Sequence, residues 1–173
     1  TALYTGVMAD TGGFRFGNTD KRTLEVAARL VGDGASPYRV ATAVYGEQPL
    51  GRLRLLGMVL ASTELALDGR MAVSTLTRAM KKEAGSDGED IEGLAAYGRM
   101  ISGVEVAVLI REEGDGVRVS LRSRGEVDVN QIAARLGGGG HRAAAGVVLK
   151  SGLGEARERL VAAVAESLGE SGH

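Results

Sequence analysis

The stretch Leu136–Gly146, reading LGGGGHRAAAG, limits what this chain can fold into more than any other. Four consecutive glycines carry no Cβ, so the run has access to positive φ and lets another group approach the main chain closely. Successive free amides in such a turn form an anion-binding concavity. His141, a titratable donor, and Arg142, a fixed cation, follow directly. Ala143–Leu149 then reads as a small, apolar, buried strand with Gly146 inside it. On the loop alone, a structural turn and an anion site carry equal weight, because glycine supplies 27 of the 173 residues and runs of it arise readily.

The preceding segment shifts that balance. Val117–Arg124 alternates apolar and polar residues, the pattern of a half-buried strand, and its polar positions are Arg118, Ser120, Arg122 and Arg124. From Val117 to Arg142 five arginines face two acids, Glu126 and Asp128, a local charge of +3 in a chain whose net charge is −1. Positive charge is therefore placed rather than spread, as a phosphate site requires.

Upstream, Thr1–Ala9 is short, apolar and β-compatible, and it ends at Asp10 before Thr11-Gly12-Gly13. An acid at the carboxyl end of a buried strand is where open α/β sheets place their chemistry; the plain alternative is that Asp10 starts a turn. Asn18 or Thr19 caps a helix through Thr23–Val31, stopped by Gly32-Asp33-Gly34. Ser36-Pro37 opens a second helix running to about Tyr45. Pro49 starts a third, with an apolar stripe of Leu50, Leu53, Leu56, Val59 and Leu60, which is expected to reach about Leu65 and to connect two structural units. Beyond it the spacing predicts a strand over Met71–Leu76 and a helix over Thr77–Glu83. An acidic loop follows over Gly85–Glu92, then a helix over Leu94–Ile101. The acids Asp87, Glu89, Asp90 and Glu92 read as a solvated loop ahead of a metal site. Val104–Arg111 and Val117–Arg124 form a hairpin, Asp128 caps a helix to Leu136, and a last amphipathic helix covers Leu153–Leu168.

Composition removes several classes of function. With no cysteine there are no disulfides, thiolate metal sites or cysteine nucleophiles. Aromatics are 3% of residues and Trp is absent, which argues against gripping single strands by successive base stacking. No apolar run approaches the ~20 residues that span a bilayer, and no signal-peptide pattern is present, so a cytoplasmic protein fits. The chain opens on Thr rather than Met, a hint that something precedes it.

Two segments in this order, MADTGGFRFGNT and VSLRSRGEVDVNQIAARLGGGGHRAAAG, resemble the DHH phosphoesterase family, closest to its nanoRNase and pAp-phosphatase branch. The second resembles the DHH-associated C-terminal domain; the first resembles the last metal-binding motif of the catalytic domain, DTGxFRFxNT. The resemblance implies an α/β chain in three parts. Residues 1–48 would be the C-terminal remnant of a parallel-sheet catalytic domain, 49–68 a connector helix, and 69–173 a mixed-sheet substrate-binding domain. It implies a hydrolase for short oligoribonucleotides, 3′,5′-bisphosphate nucleotides (pAp), or both, with two Mn²⁺ ions held by Asp and His residues over four motifs. Only Asp10 answers to that cluster here, since the histidines are His141 and His173 alone and no DHH triplet occurs. The chain is therefore expected to bind substrate without turning it over. By the same resemblance the amides of Gly137, Gly138, Gly139 and Gly140, with His141, Arg122 and Ser123, contact the substrate. Arg15 is a further candidate, balanced by a salt-bridging surface role, whereas Arg124 and Arg142 read as solvated.

Two other readings stand beside this one. Related domains in alanyl-tRNA synthetases and RecJ-like exonucleases contribute nucleic-acid binding without chemistry of their own. A structural reading makes the unit a homodimerisation domain and the glycine run a tight turn. Among substrates, pAp, short RNA, cyclic dinucleotides and polyphosphate all remain open at this point.

Overall fold

The computed structural model describes residues 1–86, 93–124 and 126–170. The acidic run Asp87, Glu89, Asp90 and Glu92 and the terminal His173 lie outside the described residues. The chain forms two compact units, Thr1–Pro49 and Leu50–His173.

The first unit is helical. Its opening segment is helix α1, Ala2–Asp10, and not the expected strand. The physical reason is visible in burial: Tyr4 and Met8, one turn apart, are the residues of α1 that are buried. They meet Ala27, Ala35 and Val40 in a small core, whereas no strand exists in this unit for a β segment to pair with. Helix α2, Lys21–Gly32, is capped by Asp20, whose carboxylate accepts from the Thr23 amide at 2.7 Å. The cap is thus one residue beyond the expected Thr19 and two beyond Asn18. Ser36 and Pro37 open α3, Pro37–Ala41, as read, and a π-helical turn Thr42–Gly46 continues it. Tyr45 ties that turn to α1 by donating from its hydroxyl to the Met8 carbonyl at 2.9 Å.

The second unit is a mixed α/β layer structure. Helix α4, Leu50–Ala61, opens it. This helix stops before Leu65, because Glu64–Ala66 instead forms edge strand β1. Strand β2 is Met71–Leu76, followed by α5, Arg78–Ala84, with Thr77 at its N-cap. Helix α6, Leu94–Tyr97, runs into a 3₁₀ turn, Gly98–Met100. Strands β3, Val106–Glu113, and β4, Gly116–Ser123, form the expected hairpin. Helix α7, Val129–Arg135, is capped by Asp128, which accepts from the Asn130 and Gln131 amides. Strand β5, Gly139–His141, then precedes β6, Ala144–Leu149, and α8, Leu153–Glu170. The sheet order is β1-β2-β3-β4-β6-β5, with β2 and β3 parallel and every other pair antiparallel.

Strand alternation gives this sheet two unlike faces. Val73, Val108, Leu121 and Ala145 lie in one row of the register across four strands. With Val119 and Val147 they pack under α7 and α8 into the main core, where Ile132 and Leu160 are fully buried. On the opposite face, Leu55 and Val59 of α4 and Leu94 of α6 cover Leu76 and Leu109 of β2 and β3. That cover does not extend across the sheet: Arg118 of β4 is exposed, and Val148 of β6 keeps 61% of its surface.

Candidate functional site

The uncovered part of the sheet brings together three of the candidates that the sequence singles out, Arg122, Gly139 and His141. The register sets Ala72, Ala107, Arg122, Ala144 and His141 in one row across five strands. The next row holds Ser120, Gly146 and Gly139. Between Arg122 and His141 the floor is therefore Ala144 and Gly146, with little side chain above the main chain. Arg122 and Ser120 are half-buried at its inner edge and His141 is exposed at its outer edge. A group lying here could reach the backbone and a guanidinium fork together.

The glycine run divides into different jobs. Gly137 and Gly138 end α7: their amides donate to the Ala134 and Ala133 carbonyls at 3.0 and 2.8 Å. That is the paired-bond C-cap that requires a left-handed residue, and Gly137 has φ +87. A Cβ on Gly138 would lie 2.2 Å from the Gly146 carbonyl oxygen, and one on Gly140, where φ is +154, 2.6 Å from that of Ala144. Gly139 is the exception, since its nearest neighbour would be Asn130 Oδ1 at 3.8 Å. Three of the four glycines thus follow from how the chain turns and pairs with β6. The amides of Gly137 and Gly138 are occupied by the helix, while Gly139 and Gly140 are exposed residues of edge strand β5.

Ser123 lies apart from Arg122 because neighbouring strand residues point to opposite faces. It is buried, and its hydroxyl is 3.4 Å from the Arg142 carbonyl, to which it donates. Arg142 itself donates to the Glu126 carbonyl at 3.0 Å, and Arg124 to the Arg99 carbonyl at 2.6 Å.

Arg99 is the residue that sequence reading missed. A Cβ on Gly98 would lie 2.8 Å from Ala107 Cβ and 3.5 Å from Ala72 Cβ, so the 3₁₀ turn sits directly on the small residues of β2 and β3. This lowers Arg99 onto β4, where its Nη1 donates to the Ser123 carbonyl at 3.2 Å. Burial first, and then the neighbouring Arg99 charge, push the Arg122 guanidinium below its ordinary value. The contrast with the next cations along the sheet is clear. Arg111 and Arg118 share Glu113, at 3.0 and 3.7 Å, and the hydrogen bond from Arg111 holds that carboxyl below the usual range. Among the described residues no carboxylate pairs with Arg99 or Arg122. The signal in the sequence was Gly98 beside an arginine, which carries no meaning until Ala72 and Ala107 are known to lie beneath it.

Asp10 and Arg15 belong to the first unit. Asp10 is exposed at the C-terminal end of α1, and Asn18 donates to its carboxylate at 3.2 Å. It lines a shallow recess of about 320 Å³ with Thr11, Asn18, Asp20 and Thr23. Arg15 donates from Nε to the Gly12 carbonyl at 2.7 Å and stands 6.0 Å from the Tyr45 ring centroid, a cation–π distance. Among the described residues no three His, Asp or Glu side chains converge to hold a metal ion. Asp10 could supply one ligand, but these residues do not build a two-metal centre.

The comparisons agree with this architecture. A family model described as DHHA1 domain matches residues 68–170. The bifunctional oligoribonuclease and PAP phosphatase NrnA of Thermus thermophilus is 39% identical over 176 residues, an alignment covering 100% of this chain and 52% of that protein. The protein of the same name from Bacillus subtilis is 32% identical over 149 residues, covering 86% of this chain and 47% of its own length. The crystal structure of an exopolyphosphatase-related protein from Bacteroides fragilis superposes with a TM-score of 0.92 at 28% identity, covering 99% of this chain and 51% of that one. The chain spans about half the length of the curated relatives it matches. With the family model matching more than half of the residues, from β2 through α8, the chain belongs to the DHHA1 domain family.

Proposed function

We propose that the uncovered face of β4, β6 and β5 holds the phosphate of a short oligoribonucleotide or of a 3′,5′-bisphosphate nucleotide for a metal-dependent phosphoesterase. The observation that carries this reading is Arg122, a half-buried cation without a carboxylate partner among the described residues, beside a floor of Ala144 and Gly146. A guanidinium fork binds phosphate oxygens by two charge-assisted hydrogen bonds. His141, across the same floor, donates to a second phosphate oxygen or to the sugar. The activities for which the two NrnA relatives are named, oligoribonuclease and PAP phosphatase, concern ligands of this class.

In this reading the chain binds and orients, while bond breaking depends on Mn²⁺ ions for which it supplies Asp10 at most. The purified chain is expected to bind a mononucleotide weakly without metal, more weakly as salt rises. Arg122→Ala should cost about 1.5–3 kcal/mol of binding, the scale of a hydrogen bond to a charged group. Calorimetry at two salt concentrations reads both effects, and an Arg122→Ala chain that binds like the parent overturns the reading. The same preparation with Mn²⁺ should not hydrolyse pAp; appreciable turnover would show that the chain completes a metal centre after all.

A further inference from the structure

We infer that Arg99 is a specificity-determining residue, which with Arg122 forms a twin-guanidinium subsite selecting a doubly charged terminal phosphate over a singly charged phosphodiester. The inference rests on the phosphate-site reading of Arg122 given above and adds to it a residue and a substrate class.

Three observations place the pair. Gly98 and the alanines beneath it, Ala72 and Ala107, bring the 3₁₀ turn down on the sheet, and Ala107 is the register partner of Arg122. Arg99 is then held from two sides, its Nη1 on the Ser123 carbonyl and its own carbonyl accepting from Arg124. Arg122 Nη1 donates to the Leu121 carbonyl at 2.9 Å and Arg99 Nη1 to the Ser123 carbonyl, two residues along the same edge of β4. At this separation the charge on Arg99 disfavours that on Arg122.

The main-chain bond does not use all of the donors of Arg99. Its Nε is buried and has no hydrogen-bond partner, a condition that costs free energy unless something else accepts the bond. Arg111 and Arg118 have the Glu113 carboxylate, whereas among the described residues this pair has only main-chain carbonyls, Ser123 for Arg99 and Leu121 for Arg122. Two like charges held so are relieved by a bound anion. The charge balance names the anion. A phosphodiester brings one negative charge against two guanidiniums, whereas a phosphomonoester brings up to two above its second ionisation near pH 6. The subsite therefore matches nucleotides ending in a monoester, such as short fragments with a terminal phosphate or bisphosphate nucleotides. Internal linkages of longer RNA match it less well.

The test compares 5′-AMP with its methyl phosphodiester, ligands that differ by one charge and one methyl group, titrated into the full 173-residue chain by calorimetry at mildly alkaline pH. The parent is expected to prefer AMP by about tenfold, the lower end of one charge-assisted hydrogen bond. Arg99→Gln should bring that ratio close to unity by weakening AMP alone. Arg122→Gln should weaken both ligands. A parent ratio near unity, or a ratio that survives Arg99→Gln, overturns the selectivity while leaving the phosphate site in place. If neither ligand binds the parent, or Arg122→Gln changes neither, the phosphate-site reading fails and the selectivity with it. Amide NMR spectra report whether Arg99→Gln remains folded. Should it not, Arg99→Lys, which keeps the charge and loses the fork, decides the matter: an intermediate ratio supports the subsite and an unchanged one overturns it.

Discussion

At the scale of single residues, the glycine run is a mixture of obligations rather than one motif. Gly138 and Gly140 lie against the backbone of β6, where an added Cβ meets carbonyl oxygens inside van der Waals contact. Backbone cannot swing away as a side-chain tip does, so Gly138→Ala and Gly140→Ala should each lose on the order of 1–3 kcal/mol of stability. Gly139→Ala should unfold at the same denaturant midpoint as the parent, since only Asn130 Oδ1 approaches at 3.8 Å. Urea melts of the three variants check this. Gly139 is consequently the glycine at which binding is testable without disturbing the fold.

At the scale of elements, α2 hangs on an aspartate cap that responds to acid. Hydrogen bonds from the amide and hydroxyl of Thr23 hold the Asp20 carboxyl below its ordinary value. A depressed carboxyl contributes stability that is complete above the ordinary aspartate value and is lost as pH falls through the lower, folded one. Acid should therefore fray the start of α2, read as accelerated amide exchange at Thr23 and Leu24. Asp20→Asn, which keeps the cap oxygen without the charge, should remove this pH dependence. In the second unit, Ile132 anchors α7 to the sheet without exposed surface. Ile132→Ala should cost about 2–5 kcal/mol through the cavity it leaves, and chemical unfolding followed by circular dichroism measures it.

At the scale of the whole molecule, the two units differ in how much core each has. The first buries Tyr4, Met8, Ala27, Ala35 and Val40, three of them small or β-branched. The second has a continuous core through β2, β3, β4, β6, α7 and α8. Local opening follows the density of buried apolar contact. Amides of α1 and α2 should accordingly exchange faster than those of β3 and β4, and equal strong protection in both would contradict the account. No helix among the described residues is long and apolar enough to cross a membrane.

Where periodicity and capping chemistry were strong, the sequence alone determined the element. The alternation of Val117–Arg124 specified β4 and which of its residues face the core, because the side-chain period of a strand is two. Ser36-Pro37 and Asp128 specified helix starts, because their side chains or fixed φ satisfy the first turn locally. Short apolar segments were another matter. Thr1–Ala9 suits a strand or a helix equally, and the partners available to Tyr4 and Met8 decided for the helix. Glu64–Ala66 became a strand only because β2 offered an edge to pair with. The site divides in the same way. Composition and spacing mark a cationic strand and a glycine run ending at His141, and the resemblance picks Arg122 out of that strand, but the sharing of one row by Arg122 and His141 depends on the pairing of β4, β6 and β5. Arg99 joins them from another part of the chain, brought there by the contact of Gly98 with Ala72 and Ala107. Such a contact leaves no local pattern, since it depends on the shape of a surface assembled from distant strands.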